Sequence, residues 1–470
     1  PDGLHGQFFH LDLECHAEDE RFRAVMEGIR RRVDPAVELE VRGSWPMVSL
    51  QPTRLRSAII IGGTGGIGAC VGKWFLEREG VAVTYAGRNT RPAYEEIVGR
   101  FDAVLTAVPL DQTPAVIRRV APRCRPGAVI CDLASRLGPS VSAMLEAAPP
   151  GVEVVGIHTV FGPVTRTVMG KNVVVSRTPR TGPAAEELVG LFRKRGVAMS
   201  FAEAADHDRL MHVVQTQWHR LLLAVLLSGA ESGLPLRAFL EAARPMDEGG
   251  LLLFLGARVL SQGEGLIWAL QTIDGPAADP DDAADPLAVP AGVEPPGWCD
   301  ESARSQAAAV IDGAIFTLHR AAERAGLSGG SDPVEPHVGA AAAATLAASW
   351  RAALAATAAR HALRGRRLSE LAGFSSPHFL LGLLAALSLS SASRGGPQPR
   401  PIPHRPEEPL SSAHRRIAAM VAEGRRAEFA ATLSRLRAWL GEGFIDFAVE
   451  QTARIFEQVL VERAGELPRF

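Results

Sequence analysis

Short apolar runs alternate with helical stripes through the first half of the chain. Residues 58–61, "AIII", form a run short enough for a buried strand, and a helical period follows from Ile67 towards Arg78. Further apolar runs at 81–86, 101–113 and 126–135 each end in small or polar residues. The stretch 154–163, "VVGIHTVFGP", places Val154, Val155 and Ile157 in a strand, then His158, and breaks at Gly162-Pro163. Strands separated by helical stretches predict a parallel sheet with helices on its faces. Beyond about 203 the period is helical, with apolar helices expected at 209–229 and 427–462.

Composition narrows the classes. A chain of 470 residues is too long for one ordinary core. A net charge of −2 gives no reason to expect nucleic acid or an anionic membrane as partner. Cys15, Cys70, Cys124, Cys131 and Cys299 are odd in number and scattered, which excludes a disulfide framework and a zinc site. No metal is expected. The apolar runs near 221–227, 251–256 and 379–387 are too short to span a bilayer, and no signal peptide is visible. A soluble cytoplasmic protein is the default expectation. The chain does not begin with Met, so further sequence upstream is also an expectation.

The strongest local signal is Gly63-Thr64-Gly65-Gly66-Ile67-Gly68, set between the first strand and its helix. Gly63 suits a tight turn, Gly65 admits a pyrophosphate against the backbone, and Gly68 lets helix approach strand. The free N–H groups of the helix start then face the phosphates. Dinucleotide binding is the expectation. A carboxylate at the end of the next strand would select NAD by holding the ribose 2′-OH, but the chain reads "YAGRNT" there. Arg88 can pair with a 2′-phosphate that an acid would repel. NADP is favoured, with NAD still open.

A parallel sheet binds its ligand beyond the carboxyl ends of its strands. Pro109, Ser135 and His158 each stand just past such an end, which puts an imidazole on the cofactor's rim.

The order "AVPLDQT", "DLAS", "GIHTVFGP" and "HDRLMHVVQ" behind the glycine fingerprint resembles the prephenate dehydrogenase family over about 57–270. The tail from about 414, with "RRAEFAATLSRLRAWLGEGF", resembles its closing helices. The resemblance implies a Rossmann-type α/β domain followed by an all-helical domain that pairs two chains as a homodimer. It implies a soluble tyrosine-biosynthesis enzyme that oxidises prephenate, a small-molecule substrate, with loss of carbon dioxide. His158 matches the catalytic histidine, and Ser135 the serine that orients it. Arg258, in "LGARVLSQ", matches the arginine that binds the ring carboxylate, and His219 a substrate-side histidine. His207-Asp208 reads as a helix-start pair with a capping role. Thr159, Val164 and "QTQWH" depart from the family pattern. They leave arogenate and 4-amino-4-deoxyprephenate open as substrates, and outside the enzyme class a regulatory paralogue that binds nucleotide and amino acid without turnover.

Residues 7–46, with "FFHLDLECH" and "RGSWP", resemble the second half of the ACT domain of prephenate dehydratases, an α+β unit that implies an amino-acid effector. Half of such a sheet leaves an unpaired edge, so missing upstream sequence or pairing with another chain is expected. The segments "DGPAADPDDAADPLAVPAGVEPPG" and "SRGGPQPRPIPHRPEEP" are Pro-rich linkers around an Ala-rich helical block. Equal spacing from Trp218 to Pro245 and from Trp350 to Pro377 raises a partial duplication of the helical domain. The second copy has Ser388 near the arginine's place, so it is not a second active site.

The expected division is therefore 1–48 (ACT-like), 55–202 (Rossmann-type), 203–272 (helical), 273–413 (insertion) and 414–470 (closing helices).

Overall fold

The computed structural model describes residues 53–163, 165, 168–242, 248–272 and 408–462, with isolated positions at 24, 26–29, 31–32, 343, 346, 347 and 350. The ACT-like segment and most of the 273–413 insertion lie outside the described residues. So does Val164.

A seven-stranded sheet runs in the order β2-β1-β3-β4-β5-β6-β7. Its strands are β1 (Ser57–Ile61), β2 (Ala82–Ala86), β3 (Ala103–Thr106), β4 (Val129–Asp132), β5 (Glu153–Thr159), β6 (Asn172–Arg177) and β7 (Ala198–Phe201). All neighbours pair in parallel except β5 with β6. Between the strands lie α1 (Gly66–Val71, prolonged by wider and tighter turns to Glu79), α2 (Tyr94–Ile97), α3 (Thr113–Val120), α4 (Gly138–Ala147) and α5 (Pro183–Arg193). This is a Rossmann-type nucleotide-binding fold, as the alternation of runs predicts.

The central strands are buried on both faces, which explains why they read as continuous apolar runs. Side chains alternate between two cores. Ile60, Leu105, Cys131, Val155 and Ile157 meet Phe75 and Phe192 on one side. Ile59, Val104, Ile130 and Val154 meet Ile117 and Met144 on the other. Phe75 and Phe192 stack with centroids 4.3 Å apart, which clasps α1 to α5. Each such fully buried side chain contributes roughly 1.5–3 kcal/mol. Cys70, Cys124 and Cys131 are buried free thiols.

After β7 the chain turns helical: α6 (Ala204–Met211), a wide turn over His212–Gln217, α7 (Trp218–Glu231), α8 (Leu236–Ala242), α9 (Glu248–Leu260), α10 (Glu264–Thr272), then α11 (Glu408–Ala422), α12 (Arg426–Leu440) and α13 (Glu442–Glu462). Every residue of α7 from Trp218 to Gly229 is buried. It packs against α9, α11 and α12 of the same chain. The approach to α9 is close, for a Cβ on Gly256 would stand 2.9 Å from the Leu226 side chain. The apolar surface of α7, which an inter-chain pairing of 209–229 with 427–462 would use, is thus covered within this chain.

Part of that cover comes from the insertion. Ala343, Leu346, Ala347 and Trp350, spaced as one helix face, join the same buried core. The Trp350 ring is fully buried, stacks on Phe239 at 5.1 Å and donates its Nε1–H to Ser228 Oγ at 2.9 Å. Among the described residues no single helix is long and apolar enough to cross a membrane, and no His, Cys, Asp or Glu cluster could hold a metal ion.

Candidate active site

The sheet order reverses between β1 and β3, and there the loops after the two strands touch. Gly62 follows β1 with φ +87°, and a Cβ on it would fall 2.4 Å from the Ala107 carbonyl oxygen. The turn residue is thus Gly62 rather than Gly63. Gly63 is instead pressed against β1, where a Cβ would stand 2.7 Å from the Ile60 carbonyl oxygen. A Cβ on Gly68 would meet the Gly63 Cα at 2.9 Å and the Ala107 Cβ at 3.0 Å, so this glycine lets α1 lie on the strand ends.

Gly65 and Gly66 have open space above them, and no side chain caps the start of α1. Bare N–H groups over an open glycine surface fit a diphosphate. Ile67 is partly buried against the core, while Thr64 is exposed and lies towards Gly87 on the next loop. That loop is braced by the Gly87 N–H, which donates to Thr90 Oγ1 at 2.8 Å. Arg88 is exposed and makes no ion pair among the described residues, whereas Arg91 curls back to donate to the Thr90 carbonyl at 3.0 Å. Pro109 is exposed beyond β3, and its carbonyl accepts the Gln112 N–H at 2.9 Å, opening α3.

His158 is the penultimate residue of β5, opposite Val174 of β6. Strand alternation turns it away from Ile157 and onto the face covered by α4, where Gly156 leaves room for Leu137 and Val141. The helix α6 reaches the same place. Its buried stripe of His207, Leu210 and Met211 faces inward. His158 Nδ1 lies 3.0 Å from His207 Nε2, with the two rings edge to face at 5.1 Å. His207 Nδ1 lies 2.8 Å from Asp208 Oδ1. The same Oδ1 accepts the Leu137 N–H at 2.8 Å, and Oδ2 accepts the Gly138 N–H at 2.8 Å. Arg136 Nε stands 3.7 Å from Oδ2.

Two sequence expectations need correction here. His207-Asp208 does not cap its own helix, which starts at Ala204; Asp208 caps α4, and His207 contacts His158. Ser135 makes no hydrogen bond to His158 among the described residues; the contact at Nδ1 is made by His207. Ser135 lies half-buried in the loop from β4 to α4, two residues before the backbone that Asp208 holds.

Burial, and then the charge a protonated His207 would carry, holds the His158 imidazole well below its ordinary range. The ring is therefore neutral at neutral pH, as a proton acceptor must be. At the end of β4, burial pushes the Asp132 carboxyl up to about 6, even though Thr106 Oγ1 donates to it at 2.7 Å.

The two substrate-side expectations fall in the helical part. His219 is buried on α7, its Nδ1 has no partner among the described residues, and burial lowers it to about 4. Arg258 on α9 donates Nη1–H to the Val449 carbonyl of α13 at 3.5 Å; burial lowers it to about 10, still a cation at neutral pH. No contact among the described residues joins either of them to His158.

A family model described as "Prephenate dehydrogenase, nucleotide-binding domain" matches residues 81–200. A curated probable arogenate/prephenate dehydrogenase of Methanocaldococcus jannaschii is 27% identical over 222 residues, 43% of this chain and 48% of that protein. The T-protein of Haemophilus influenzae is 27% identical over 165 residues, 35% of this chain and 43% of that protein. The chain thus spans under half the length of these curated relatives. Among solved structures, prephenate dehydrogenase from A. aeolicus, in complex with hydroxyphenyl propionate and NAD+, is 17% identical with a TM-score of 0.31, covering 38% of this chain and 69% of that one. A putative prephenate dehydrogenase from Corynebacterium glutamicum is 16% identical with a TM-score of 0.33, covering 72% and 98%. Over residues 81–200 the chain is thus similar to the nucleotide-binding domain of the prephenate dehydrogenase family.

Proposed function

We propose that this chain oxidises prephenate to 4-hydroxyphenylpyruvate with NADP as the preferred hydride acceptor, in tyrosine biosynthesis. The observation that carries the reading is a buried, neutral imidazole, His158, on the sheet rim that also bears the open glycine loop.

Gly65 and Gly66 with the start of α1 would hold the diphosphate, on a turn that Gly63 and Gly68 allow to pack closely, and Arg88 would hold the 2′-phosphate. A bound nicotinamide supplies the hydride acceptor. His158 Nδ1 is engaged by His207, so Nε2 is left to face the substrate hydroxyl and take its proton. The C–H bond at the hydroxyl-bearing carbon breaks with its electron pair leaving as hydride. The ring carboxylate then departs as carbon dioxide, its bonding pair enters the ring, and the phenol oxygen recovers the proton from His158. Arg258 is proposed to hold a carboxylate of the substrate and His219 to line its pocket; a guanidinium fork suits the first role.

Homodimer formation through surface outside α7, and an amino-acid effector at residues 1–48, belong to the same proposal. The test is an assay panel of prephenate and arogenate, each with NADP and NAD. Fastest reduction with prephenate and NADP supports the reading. Preference for arogenate moves the substrate, preference for NAD moves the cofactor, and no reduction with any pair favours a binding paralogue without turnover.

A further inference from the structure

The hydrogen-bond chain behind His158 has a direction. Both oxygens of Asp208 accept backbone N–H groups, from Leu137 and Gly138, so the side chain acts as an acceptor. His207 Nδ1, 2.8 Å from Oδ1, must then carry a hydrogen. A neutral His207 with hydrogen on Nδ1 has its lone pair on Nε2. That lone pair faces His158 Nδ1 at 3.0 Å, which must be the N–H of that contact. A neutral His158 with hydrogen on Nδ1 has its lone pair on Nε2. Both rings are buried, so water does not compete for either contact.

We propose that His207 and Asp208 are positioning residues that hold His158 in the one tautomer able to act as a base at Nε2. The proposal rests on the reading of His158 as the proton acceptor. The charged and titratable groups facing the pair are Asp208 on α6 and Arg136 on the loop from β4 to α4. Asp208 also fixes the backbone at Leu137 and Gly138, so one carboxylate sets both the ring's tautomer and the loop that carries Ser135.

The test compares His207→Leu with His207→Gln. Leu cannot accept from His158 Nδ1–H; the Gln amide oxygen can. His207→Leu is expected to lose about 10²-fold or more in kcat while KM and NADP binding stay near the parent's. His207→Gln is expected to recover most of that loss. Parent-like kcat in the Leu variant overturns the proposal. So does equal loss in both variants accompanied by weakened NADP binding, which marks a structural role. Imidazole ¹⁵N resonances of the ligand-free parent give a readout independent of turnover. Hydrogen on Nδ1 of both rings at neutral pH supports the relay, and hydrogen on His158 Nε2 overturns it. If the tautomers are as stated but neither prephenate nor arogenate is oxidised, the relay stands and the assigned reaction fails.

Discussion

Asp208 lies on α6, yet it caps α4, seventy residues earlier: its Oδ2 accepts the Gly138 N–H at 2.8 Å. A side-chain cap of this kind stabilises a helix start by about 1 kcal/mol. Here the capping carboxylate is also the group behind His207, whose Nδ1 lies against its other oxygen, so the fold and the site share one side chain. A Cβ at position 138 would stand 2.8 Å from that oxygen. Gly138→Ala is therefore expected to displace the carboxylate, lowering kcat tenfold or more while costing only about 1 kcal/mol of stability. Steady-state kinetics beside a denaturant titration checks the split. Unchanged kcat would show that the carboxylate's position does not matter to turnover.

Cofactor choice is expected to rest on Arg88. A hydrogen-bonded ion pair to a phosphate contributes roughly 1.5–3 kcal/mol, so Arg88→Ala should weaken NADP by about ten- to a hundredfold. NAD, without the 2′-phosphate, should be nearly unaffected. Fluorescence titration with both cofactors separates the cases, and equal loss for the two returns Arg88 to an ordinary surface cation.

The acid side of the stability curve should carry the mark of His219. Its folded pKa of about 4 lies below the 6.5 of the free side chain. Between those values the unfolded chain takes up a proton that the folded chain refuses. The contribution is complete above pH 6.5 and is lost progressively as pH falls towards 4. It amounts to roughly 3 kcal/mol, at about 1.4 kcal/mol per tenfold change in proton affinity. His219→Gln should flatten that fall. A variant whose stability drops as steeply as the parent's between pH 6.5 and 4 would show that His219 is not the buried group responsible.

Trp350 should behave as a core residue of the helical part. Trp350→Ala removes a fully buried ring and leaves Ser228 Oγ without its donor, a loss of about 3–5 kcal/mol. Thermal or denaturant unfolding measures it. A loss under about 1 kcal/mol, the level of an ordinary surface change, would mean that the insertion does not help close this core.

The parts of this account that depend on local order were legible in the sequence. Strand, glycine loop and helix stand next to one another from Ser57 to Glu79, and each glycine's packing follows from its place in that turn. The alternation of Val154, Val155 and Ile157 already turned His158 to a definite face. His207 was not legible as a neighbour of His158, because they stand 49 positions apart and the chain between them includes the antiparallel return of β6 and the crossover to β7. The His-Asp pair looked local, and its spacing to Leu210 and Met211 was the one available sign that His207 points inward. Proximity on the rim likewise does not say which side chain reaches Nδ1, a contact made by His207 and not by Ser135. In the insertion, the spacing Ala343, Leu346, Ala347, Trp350 marks an apolar helix face. A stripe names no partner, so docking against Phe239 and Ser228 could not be read from it.

The central claim is that His158 takes the substrate's hydroxyl proton. The measurement that tests it most directly is the steady-state rate of His158→Asn with prephenate and NADP, taken beside NADP affinity. A base that works only as hydride leaves should matter to turnover and little to binding. The expected result is a kcat lower by about 10²–10⁴-fold with KM and NADP affinity nearly unchanged. A variant that turns over at close to the parent rate would contradict the account and leave His158 as a buried structural histidine.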